Sequence, residues 1–266
     1  MCGRYTLIRL ADFTDMFPWI RPPAGTPGGP GFADTDAGAI PRYNIAPTQP
    51  VAVVPNDGRL QIDFFRWGLI PSWAKDPSIG NRMINARVEG ISEKPAYRSA
   101  VRRRRCLIPA SGFYEWKKPP PDRAGVKTPM YIRSKDGRPF AFAGLWETWR
   151  APEGHDVRSC TIITGPPNEL VRTIHDRMAV ILLPEHYRAW LDEGELSPGA
   201  LTRLLQPYPA ELLETYPVGR AVNTPKNDGP ELIRPVEPTA PTTTRSKQAR
   251  PDRQTRGASD DTPTLF

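Results

Sequence analysis

Cys2, the second residue of the chain, has the strongest potential for unusual chemistry. An initiator methionine is commonly removed when a small residue follows it, and removal of Met1 leaves an α-amine and a thiol on adjacent carbons of Cys2. The pKa of an α-amine is about 7.7–8.0 and that of a thiol about 8.5, so both groups react near neutral pH. Such an aminothiol condenses with an aldehyde to an imine, and the thiol then closes a five-membered thiazolidine ring. Taken alone, Cys2 is more often simply the residue after the first methionine.

Glu115 and His175 are the two candidates for acid–base chemistry. Glu115 lies in the bulky segment Phe113-Tyr114-Glu115-Trp116, and apolar surroundings raise the pKa of a carboxyl group toward values that suit a general acid. Local sequence alone favours the alternative, a strand glutamate that faces water. His175 lies between a predicted helix and the apolar strand 179–183, a suitable place for an acid–base group, although a lone histidine is more often structural. The neighbouring Arg177 favours a position that handles an anion.

Trp67 and Trp73 bracket an apolar turn ahead of the polar segment Asn85-Ala86-Arg87. Aromatic side chains are most often part of the core, but they also stack on nucleic-acid bases, which contributes about 1–3 kcal/mol per base. The sequence favours a core position for Trp73 and leaves both possibilities open for Trp67.

The distribution of charge points to a polyanion partner. The net charge is +7, and only +1 of it falls in residues 226–266, where seven basic and six acidic side chains lie. An excess of this size on the body suits nucleic acid, with a merely basic soluble protein as the alternative. The run Arg102–Arg105 usually indicates a solvated face, but four arginines also hold phosphates well.

Short apolar runs bounded by glycine, proline or aspartate predict most of the regular structure as strands. The runs are 51–54, 61–67, 106–109, 129–132, 140–145 and 159–164, and helical patterns occur at 10–17, 168–173, 184–192 and 198–205. The strands are too irregularly spaced for repeated βαβ units. The sequence therefore predicts an α+β fold, with a mixed, mostly antiparallel β-sheet or barrel as its core and peripheral helices.

We expect one folded domain over residues 1–225, a flexible insertion at 21–41 and a disordered tail at 226–266, because proline, glycine and polar residues dominate the last two segments. The three cysteines form no CxxC pair, so neither a disulfide framework nor a zinc cluster is expected. We expect no metal or other cofactor and a cytoplasmic protein with reduced thiols. The sequence has no apolar run of about 18 residues and no secretory signal, so no membrane association is expected.

Eight segments, in order along residues 1 to about 225, resemble the SRAP family, the SOS-response-associated peptidase-like proteins that process abasic sites in DNA. Each segment alone is weakly specific, but eight in the family's order are highly specific. They are Met1-Cys2-Gly3-Arg4-Tyr5, Tyr43-Asn44-Ile45-Ala46-Pro47-Thr48-Gln49, Arg66-Trp67-Gly68-Leu69-Ile70-Pro71-Ser72-Trp73, Asn85-Ala86-Arg87-Val88-Glu89, Arg104-Arg105-Cys106-Leu107-Ile108-Pro109-Ala110, Gly112-Phe113-Tyr114-Glu115-Trp116, Phe142-Ala143-Gly144-Leu145-Trp146-Glu147 and His175-Asp176-Arg177-Met178.

The resemblance implies an enzyme that crosslinks itself to DNA. Cys2, exposed by removal of Met1, would form a thiazolidine with the aldehyde of a ring-opened abasic deoxyribose in single-stranded DNA, and the adduct would shield the site during the DNA damage response. Asn85 would hold the N-terminal amine, Glu115 would be the acid–base group, and His175 would assist opening of the sugar ring. The implied DNA contacts are Arg4, Arg87 and Arg177 for phosphates, Trp67 and Trp116 for base faces, and Asn44 and Pro47 in a segment that lines the site.

Two other functions stay open. A cysteine-type peptidase, which the family name suggests, needs a cysteine with a histidine and an oxyanion hole, and removal of Met1 is the only cleavage that the crosslinking reaction requires. A non-catalytic single-stranded DNA-binding protein would show strong salt dependence and no covalent product. A monomer, associated with the nucleoid when it acts, suits a site that threads a strand. Leu265 and Phe266 at the end of the tail resemble bacterial sliding-clamp-binding peptides, so a sliding clamp is a further candidate partner, with a solvated tail end as the alternative.

Overall fold

The computed structural model describes residues 2–23, 41–120 and 125–237, and the helices and strands lie within these ranges. The strands are β1 (Tyr5–Leu7), β2 (Arg42–Ile45), β3 (Pro50–Pro55), β4 (Asp63–Trp67), β5 (Asn85–Arg87), β6 (Arg105–Ala110), β7 (Gly112–Lys117), β8 (Thr128–Ser134), β9 (Phe140–Arg150), β10 (Asp156–Gly165), β11 (Met178–Ala179), β12 (Ile181–Leu182) and β13 (Leu213–Pro217). The α-helices are α1 (Leu10–Met16), α2 (Arg98–Arg103), α3 (Glu169–Arg172), α4 (Tyr187–Leu191) and α5 (Pro198–Leu204). Short 3-10 helices lie at Pro77–Arg82, Pro184–His186, Ala210–Leu212, Arg220–Asn223 and Pro230–Ile233.

Five strands close into a barrel at the centre of the molecule. Their order is β10-β4-β3-β6-β9, and β9 pairs back with β10 to complete the ring. The β4–β10 pair is parallel, with Cys160 beside Trp67, and the other pairs of the ring are antiparallel. β5 and β11 add to the edge of β10, and β12 adds to β9. The predicted α+β fold with a mixed, mostly antiparallel core is confirmed.

A second, antiparallel sheet of five strands, in the order β13-β8-β7-β1-β2, packs beside the barrel. Its strand β1 is fully buried, and the Tyr5 ring makes edge-to-face contacts with Trp67 and Phe142 of the barrel, with ring centroids 5.4 and 5.8 Å apart. The hydroxyls of Thr6 and Tyr131 share a hydrogen bond of 2.8 Å in the same buried layer. The chain just before β1 therefore lies where the sheet meets the barrel.

A close crossing of two backbones directs the chain from β4 to β5. Gly68 has a φ of +129°, and a Cβ on it would lie 2.5 Å from the carbonyl oxygen of Gly80, so only glycine fits at this position. The Leu69 N–H donates to the Met83 carbonyl at 3.1 Å and fastens the crossing. The chain then enters β5, whose first residue, Asn85, lies at the edge of β10.

The predicted elements are found with small shifts of their ends. All six predicted strands are present, as β3, β4, β6, β8, β9 and β10. The last two are longer than their apolar runs because they continue to pair with each other as far as Arg150 and Asp156. The four predicted helices are α1, α3, α4 and α5, with α4 preceded by a 3-10 turn. The apolar strand predicted at 179–183 is found as the two short strands β11 and β12. The apolar runs did not predict β1, β2, β5, β7, β13 or α2, of which β1, β2 and β5 have only three or four residues, too few for a periodic pattern to reveal.

The first residue of the predicted flexible insertion, Arg21, is held against the barrel. It forms a bridge with Gln61, and its N–H donates to the Leu60 carbonyl at 2.8 Å. These contacts fix the position of Arg21 relative to β4. Residues 24–40 lie outside the described residues.

The boundary of the predicted tail is also wrong, because residues 226–237 are ordered. They contain a 3-10 helix whose Leu232 is buried beside Val218 and Val222 in a small apolar cluster. We refer to residues 218–237 as the C-terminal strap. Residues 238–266 lie outside the described residues, so the sliding-clamp contact of Leu265 and Phe266 stays a prediction.

Candidate active site

Cys2 lies at the junction of the sheet and the barrel and is fully buried. The antiparallel pairing of β1 with β7 places it there: Tyr5 lies opposite Phe113, and the Tyr114 N–H donates to the Arg4 carbonyl at 3.0 Å. Continuing this register carries Cys2 alongside the segment that contains Glu115. The sequence indicates the reactivity of Cys2 but not its position in the fold. The position depends on how β1 pairs, and β1, with three residues, is too short to be predicted from a pattern.

Asn85 holds the backbone of Cys2. Its Nδ2 donates to the Cys2 carbonyl oxygen at 2.9 Å. Among the described residues no donor reaches the buried Oδ1 of Asn85. The Tyr97 hydroxyl donates to the Asn85 carbonyl at 3.4 Å and supports the strand from the other side. Asn85 therefore presents an acceptor beside the position that the amine of a processed Cys2 would occupy.

Glu115 is buried, with 2% of its surface exposed, so the alternative of a water-facing glutamate is wrong. Burial raises the pKa of its carboxyl group above the ordinary value, because the charged form is desolvated, and the charge of Asp176 adds to the rise. The local sequence favours the water-facing alternative because it does not show how β7 packs against the rest of the fold. A carboxyl group of this kind keeps its proton to higher pH and can donate it.

The thiol of Cys2 is held in the neutral form. Burial raises its pKa well above the ordinary value, and the nearby charge of Glu115 raises it further. The effect of Glu115 on this thiol agrees with the register of β1 and β7, which brings Cys2 alongside the segment that contains Glu115. A thiol in this state needs a base to take its proton before it attacks an electrophile.

His175 follows α3, and its own N–H donates to the Val171 carbonyl at 2.9 Å. Its Nδ1 accepts the N–H of Arg177 at 3.0 Å, and the carboxylate of exposed Asp176 lies 2.9 Å from the same nitrogen. Burial lowers the pKa of the ring, and the charge of Lys118, close to Glu115 on the chain, adds to the effect. Nδ1 therefore accepts the Arg177 N–H when it carries no proton and can donate to the Asp176 carboxylate when it does.

Arg87 and Arg177 lie near the end of β10, where this strand pairs with both β5 and β11. Arg177 makes a two-pronged ion pair with Glu89, at 2.6 and 2.8 Å, and also donates to the Thr164 carbonyl at 2.7 Å. Arg87 is exposed on the same strand as Asn85. Arg87 is thus available to a phosphate, while Arg177 is already held by Glu89, a partner that the sequence did not indicate.

Asn44 is fully buried and cannot line a DNA-binding surface, so its predicted role in the site is wrong. Its Oδ1 accepts from Arg4 at 2.9 Å, and its Nδ2 lies 2.8–3.1 Å from three carbonyl oxygens of the C-terminal strap. Asp228 of the strap accepts the N–H of Asn44 at 2.8 Å and pairs with Arg42 at 2.7 Å. Asn44 is therefore a structural residue that fastens the strap to β2.

Arg4 is anchored in the same network. Besides Asn44, its guanidinium donates to the carbonyl oxygens of Val222 and Asn223, at 2.8 and 3.5 Å. Trp116 also contacts the strap, because its Nε1 donates to Asn223 Oδ1 at 2.8 Å. Both side chains remain half-buried. The strap thus fixes two predicted DNA contacts at defined positions.

Of the two possibilities left open for Trp67 the structure has the core position, and Trp73 is not in the core as predicted. Trp67 is fully buried, its Nε1 donates to the Ile84 carbonyl at 2.9 Å, and it cannot meet a base face. Trp73, predicted to be core, is 59% exposed. Pro47 is half-buried and precedes Thr48, whose N–H donates to the Trp67 carbonyl at 2.8 Å. The exposed aromatic surface in this region is therefore that of Trp73.

The run of four arginines does not form one solvated face. Arg105 is fully buried, and its donors go to carbonyl oxygens such as those of Trp190 and Gly194, at 2.9 and 2.8 Å. Arg104 pairs with the buried Glu147 at 2.8 Å. Only Arg102 and Arg103 of the run are exposed.

Within the described ranges, no cluster of three or more histidine, cysteine or acidic side chains could hold a metal ion. In the same part of the chain, no helix combines the length and the apolar character needed to cross a bilayer.

We predict that Asn44→Ala destabilises the protein by about 1–3 kcal/mol, because it removes the amide that donates to carbonyl oxygens of the strap and one of the acceptors of the Arg4 guanidinium. Urea unfolding measures the change. Asn81→Ala is the control, because Asn81 is exposed and accepts only from Arg66 at 2.6 Å. Equal stability of the two variants would contradict the structural role of Asn44.

Comparisons with known proteins bear on this site. The family model for SOS response associated peptidase (SRAP) matches residues 1–225. The chain is 47% identical over 234 residues to the abasic site processing protein YoqW of Bacillus subtilis, with 88% of this chain and 99% of that protein covered. It is 32% identical over 204 residues to the abasic site processing protein YedK of Escherichia coli, with 76% and 87% covered.

Solved structures agree with the fold. A crystal structure of a protein from Bacteroides thetaiotaomicron matches with a TM-score of 0.74 and 23% identity, covering 89% of this chain and 100% of that one. A protein from Bordetella bronchiseptica matches with a TM-score of 0.65 and 25% identity, covering 82% and 100%. On the family match over most of its length and on these relatives, the chain belongs to the SRAP family.

Proposed function

We propose that this protein is an abasic-site processing enzyme that forms a covalent thiazolidine crosslink between Cys2 and the ring-opened abasic sugar in single-stranded DNA, after removal of Met1. One observation carries the proposal: the backbone of Cys2 is fixed by Asn85, and its thiol shares an electrostatically coupled site with the buried, proton-retaining carboxyl group of Glu115. The names of the relatives support the choice of an abasic site as the substrate.

The chemistry needs one acid and one base, and Glu115 can act as both in turn. The Cys2 amine attacks the aldehyde carbon to give a carbinolamine, and protonated Glu115 gives its proton to the hydroxyl, which leaves as water. The Cys2 thiol then passes its proton to the Glu115 carboxylate as sulfur attacks the iminium carbon and closes the ring. One water is lost overall, and Glu115 ends protonated. The raised pKa values of both groups match these two steps.

His175 supplies the step before condensation. An abasic sugar is mostly a closed hemiacetal. To open it to the aldehyde, a proton must leave the hydroxyl on the anomeric carbon and a proton must be delivered to the ring oxygen. The neutral ring can exchange protons near neutral pH, and its Nδ1 lies within hydrogen-bond distance of both the Arg177 N–H and the Asp176 carboxylate. Asp176 stabilises the ring when it is charged.

Single-stranded DNA fits the charged edge of the site. Exposed Arg87 lies on the strand that holds Asn85, and Arg4 and Arg177 add cationic groups on either side. Trp73 and Trp116 offer aromatic surface for stacking on bases. A phosphate backbone held by these groups raises the effective concentration of the aldehyde at the amine.

A cysteine peptidase is disfavoured by the state of the thiol. Peptidases of this type need a thiolate with a lowered pKa, whereas burial and Glu115 raise the pKa of Cys2. A plain DNA-binding protein has no use for a buried acid coupled to a buried thiol.

The test is to incubate the Met1-processed protein with single-stranded DNA that carries one abasic site and to boil the mixture in SDS. We expect a shifted band with abasic DNA and none with intact DNA. Acetylation of the Cys2 amine should abolish the band. The same acetylation would not impair a peptidase that uses only the thiol. Absence of a band with the unblocked, processed protein would contradict the proposal.

We also predict that Asn85→Ala slows adduct formation by up to about 10²-fold, because a small displacement of the reacting amine costs this much in rate. DNA affinity should change little, because Asn85 acts on the protein's own backbone. Single-turnover crosslinking and fluorescence anisotropy measure the two effects, with Asn81→Ala as the control. A rate equal to that of the control would remove Asn85 from the mechanism.

A further inference from the structure

Three arginines on the exposed side of α2 have no role in the proposed crosslinking mechanism. Arg98, Arg102 and Arg103 line an open cleft of about 610 Å³ together with two serines and two glutamates, Ser92, Ser99, Glu93 and Glu195. We call Arg98, Arg102 and Arg103 the arginine face.

The arginine face is poorly compensated. Arg98 and Arg102 are four residues apart on one helix, an arrangement of like charges that weakens a helix, and within the described residues neither makes an ion pair. Arg103 lies 3.5 Å from Glu195, but both side chains are more than half exposed, at 72% and 54%, so the pair contributes little. An anion of another molecule would relieve this repulsion.

The buried arginine beneath the cleft adds to the positive potential. Arg105 donates to the backbone carbonyls of Val101, at 3.1 Å, and of Arg102, and Asp192 is the nearby carboxylate that offsets its charge. The guanidinium of Arg105 therefore binds the carbonyl groups at the C-terminal end of α2. This end of a helix normally carries a partial negative charge, and the guanidinium makes it neutral or positive.

The position of the arginine face relates it to the site. α2 begins one residue after Tyr97, whose hydroxyl donates to the Asn85 carbonyl. The segment 88–97 joins exposed Arg87 to this helix, and exposed Lys94 lies on it. Glu89 and Glu93 also lie on this segment, but Glu89 is paired with Arg177, so Arg87 and Lys94 are the cationic groups between the site and the cleft.

We propose that the arginine face binds the phosphate backbone of the DNA strand that leaves the site past Arg87. This inference rests on the proposed function for its DNA partner. The arginine face is then a second anchor for DNA, outside the reacting centre. With this anchor the protein binds long DNA more tightly than short DNA. Phosphates displace Glu195 from Arg103 and release counterions, so binding there depends on salt.

The test compares Arg98→Glu/Arg102→Glu with a control of the same total charge, Arg138→Glu/Arg150→Glu, whose arginines are 70% and 67% exposed on other surfaces. Binding of intact single-stranded DNA, short and long, is measured by fluorescence anisotropy over a range of salt, and thermal melting checks the fold. Loss of two phosphate contacts should lower the slope of log affinity against log salt by about 1.4 for long DNA, at about 0.7 per contact. Short DNA should bind both variants equally, and its crosslinking at saturation should be unchanged.

If the slope of log affinity against log salt on long DNA is the same for the two double variants, the proposal that the arginine face binds DNA is wrong. Failure of the wild-type protein to crosslink abasic DNA would instead overturn the proposed function. In that case a slope lowered only in Arg98→Glu/Arg102→Glu would still support the arginine face, because the binding assay uses intact DNA and needs no covalent step.

Discussion

Cys2→Ala should abolish the SDS-resistant adduct while leaving DNA binding intact. Alanine keeps the α-amine but removes the sulfur, so the reaction with an abasic site stops at the imine. An imine is hydrolysed on boiling, and it also permits β-elimination, which breaks the bond to the 3′ phosphate and cleaves the strand. We therefore expect the variant to lose the crosslink below detection and to gain strand cleavage.

The chain provides matched controls for Cys2→Ala. Cys106 and Cys160 are also fully buried and have thiols whose pKa is raised by burial, but they lie in strands β6 and β10 of the barrel. Cys106→Ala and Cys160→Ala should both retain the adduct. Denaturing gels of the abasic strand resolve adduct, cleaved and intact DNA in one experiment. A stable adduct in Cys2→Ala would show that another nucleophile reacts.

Glu115→Gln should slow adduct formation by about 10²–10⁴-fold, the usual contribution of a general acid–base group. The rate of the wild-type protein should have one limb that rises as the amine loses its proton, near pH 7.7–8.0, and one limb that falls as Glu115, whose pKa is raised by burial, loses its own proton. The variant should lose the falling limb, because glutamine does not titrate. A single-turnover rate profile against pH measures this, and a falling limb that persists in Glu115→Gln would assign it to another group.

The same substitution should stabilise the protein at neutral pH. The pKa of Glu115 is raised above its ordinary value of 4.5 in the folded state, so its contribution to stability is complete below that value and is lost as pH rises through the folded pKa. Glutamine escapes this loss. The difference in unfolding free energy between Glu115→Gln and the wild type should therefore grow with pH from about 4.5 upward, and urea unfolding at several pH values measures it.

The residues around Cys2 show what a sequence can and cannot predict. Segment order was enough to propose Cys2, Asn85, Glu115 and His175, and in the structure the Asn85 side chain donates to the Cys2 carbonyl oxygen. The local sequence favours a water-facing Glu115, but the structure buries it. The partner of Asn85, the carbonyl of Cys2, depends on pairing between distant strands, and no local pattern reveals it.

The wrong assignments share a physical cause. Asn44 and Trp67 belong to family-like segments, but such segments do not say which side chains face inward. In β4 the burial alternates, with Phe65 and Trp67 inside, so strand periodicity would have placed Trp67 in the core. Trp73 follows the strand, where no periodicity applies. Arg105 begins a strand buried along its whole length, which composition alone cannot distinguish from a solvated basic run.

The intact mass of the adduct, boiled either directly or after borohydride treatment, tests the central claim most directly. A thiazolidine on Cys2 predicts the mass of the Met1-processed protein plus that of the abasic strand less one water, unchanged by borohydride because no imine is left to reduce. A conjugate that gains two hydrogens would be an imine, and its trapping would show that the thiol closes no ring. No conjugate at all, with the N-terminal Cys2 confirmed by mass, would contradict the crosslinking function itself.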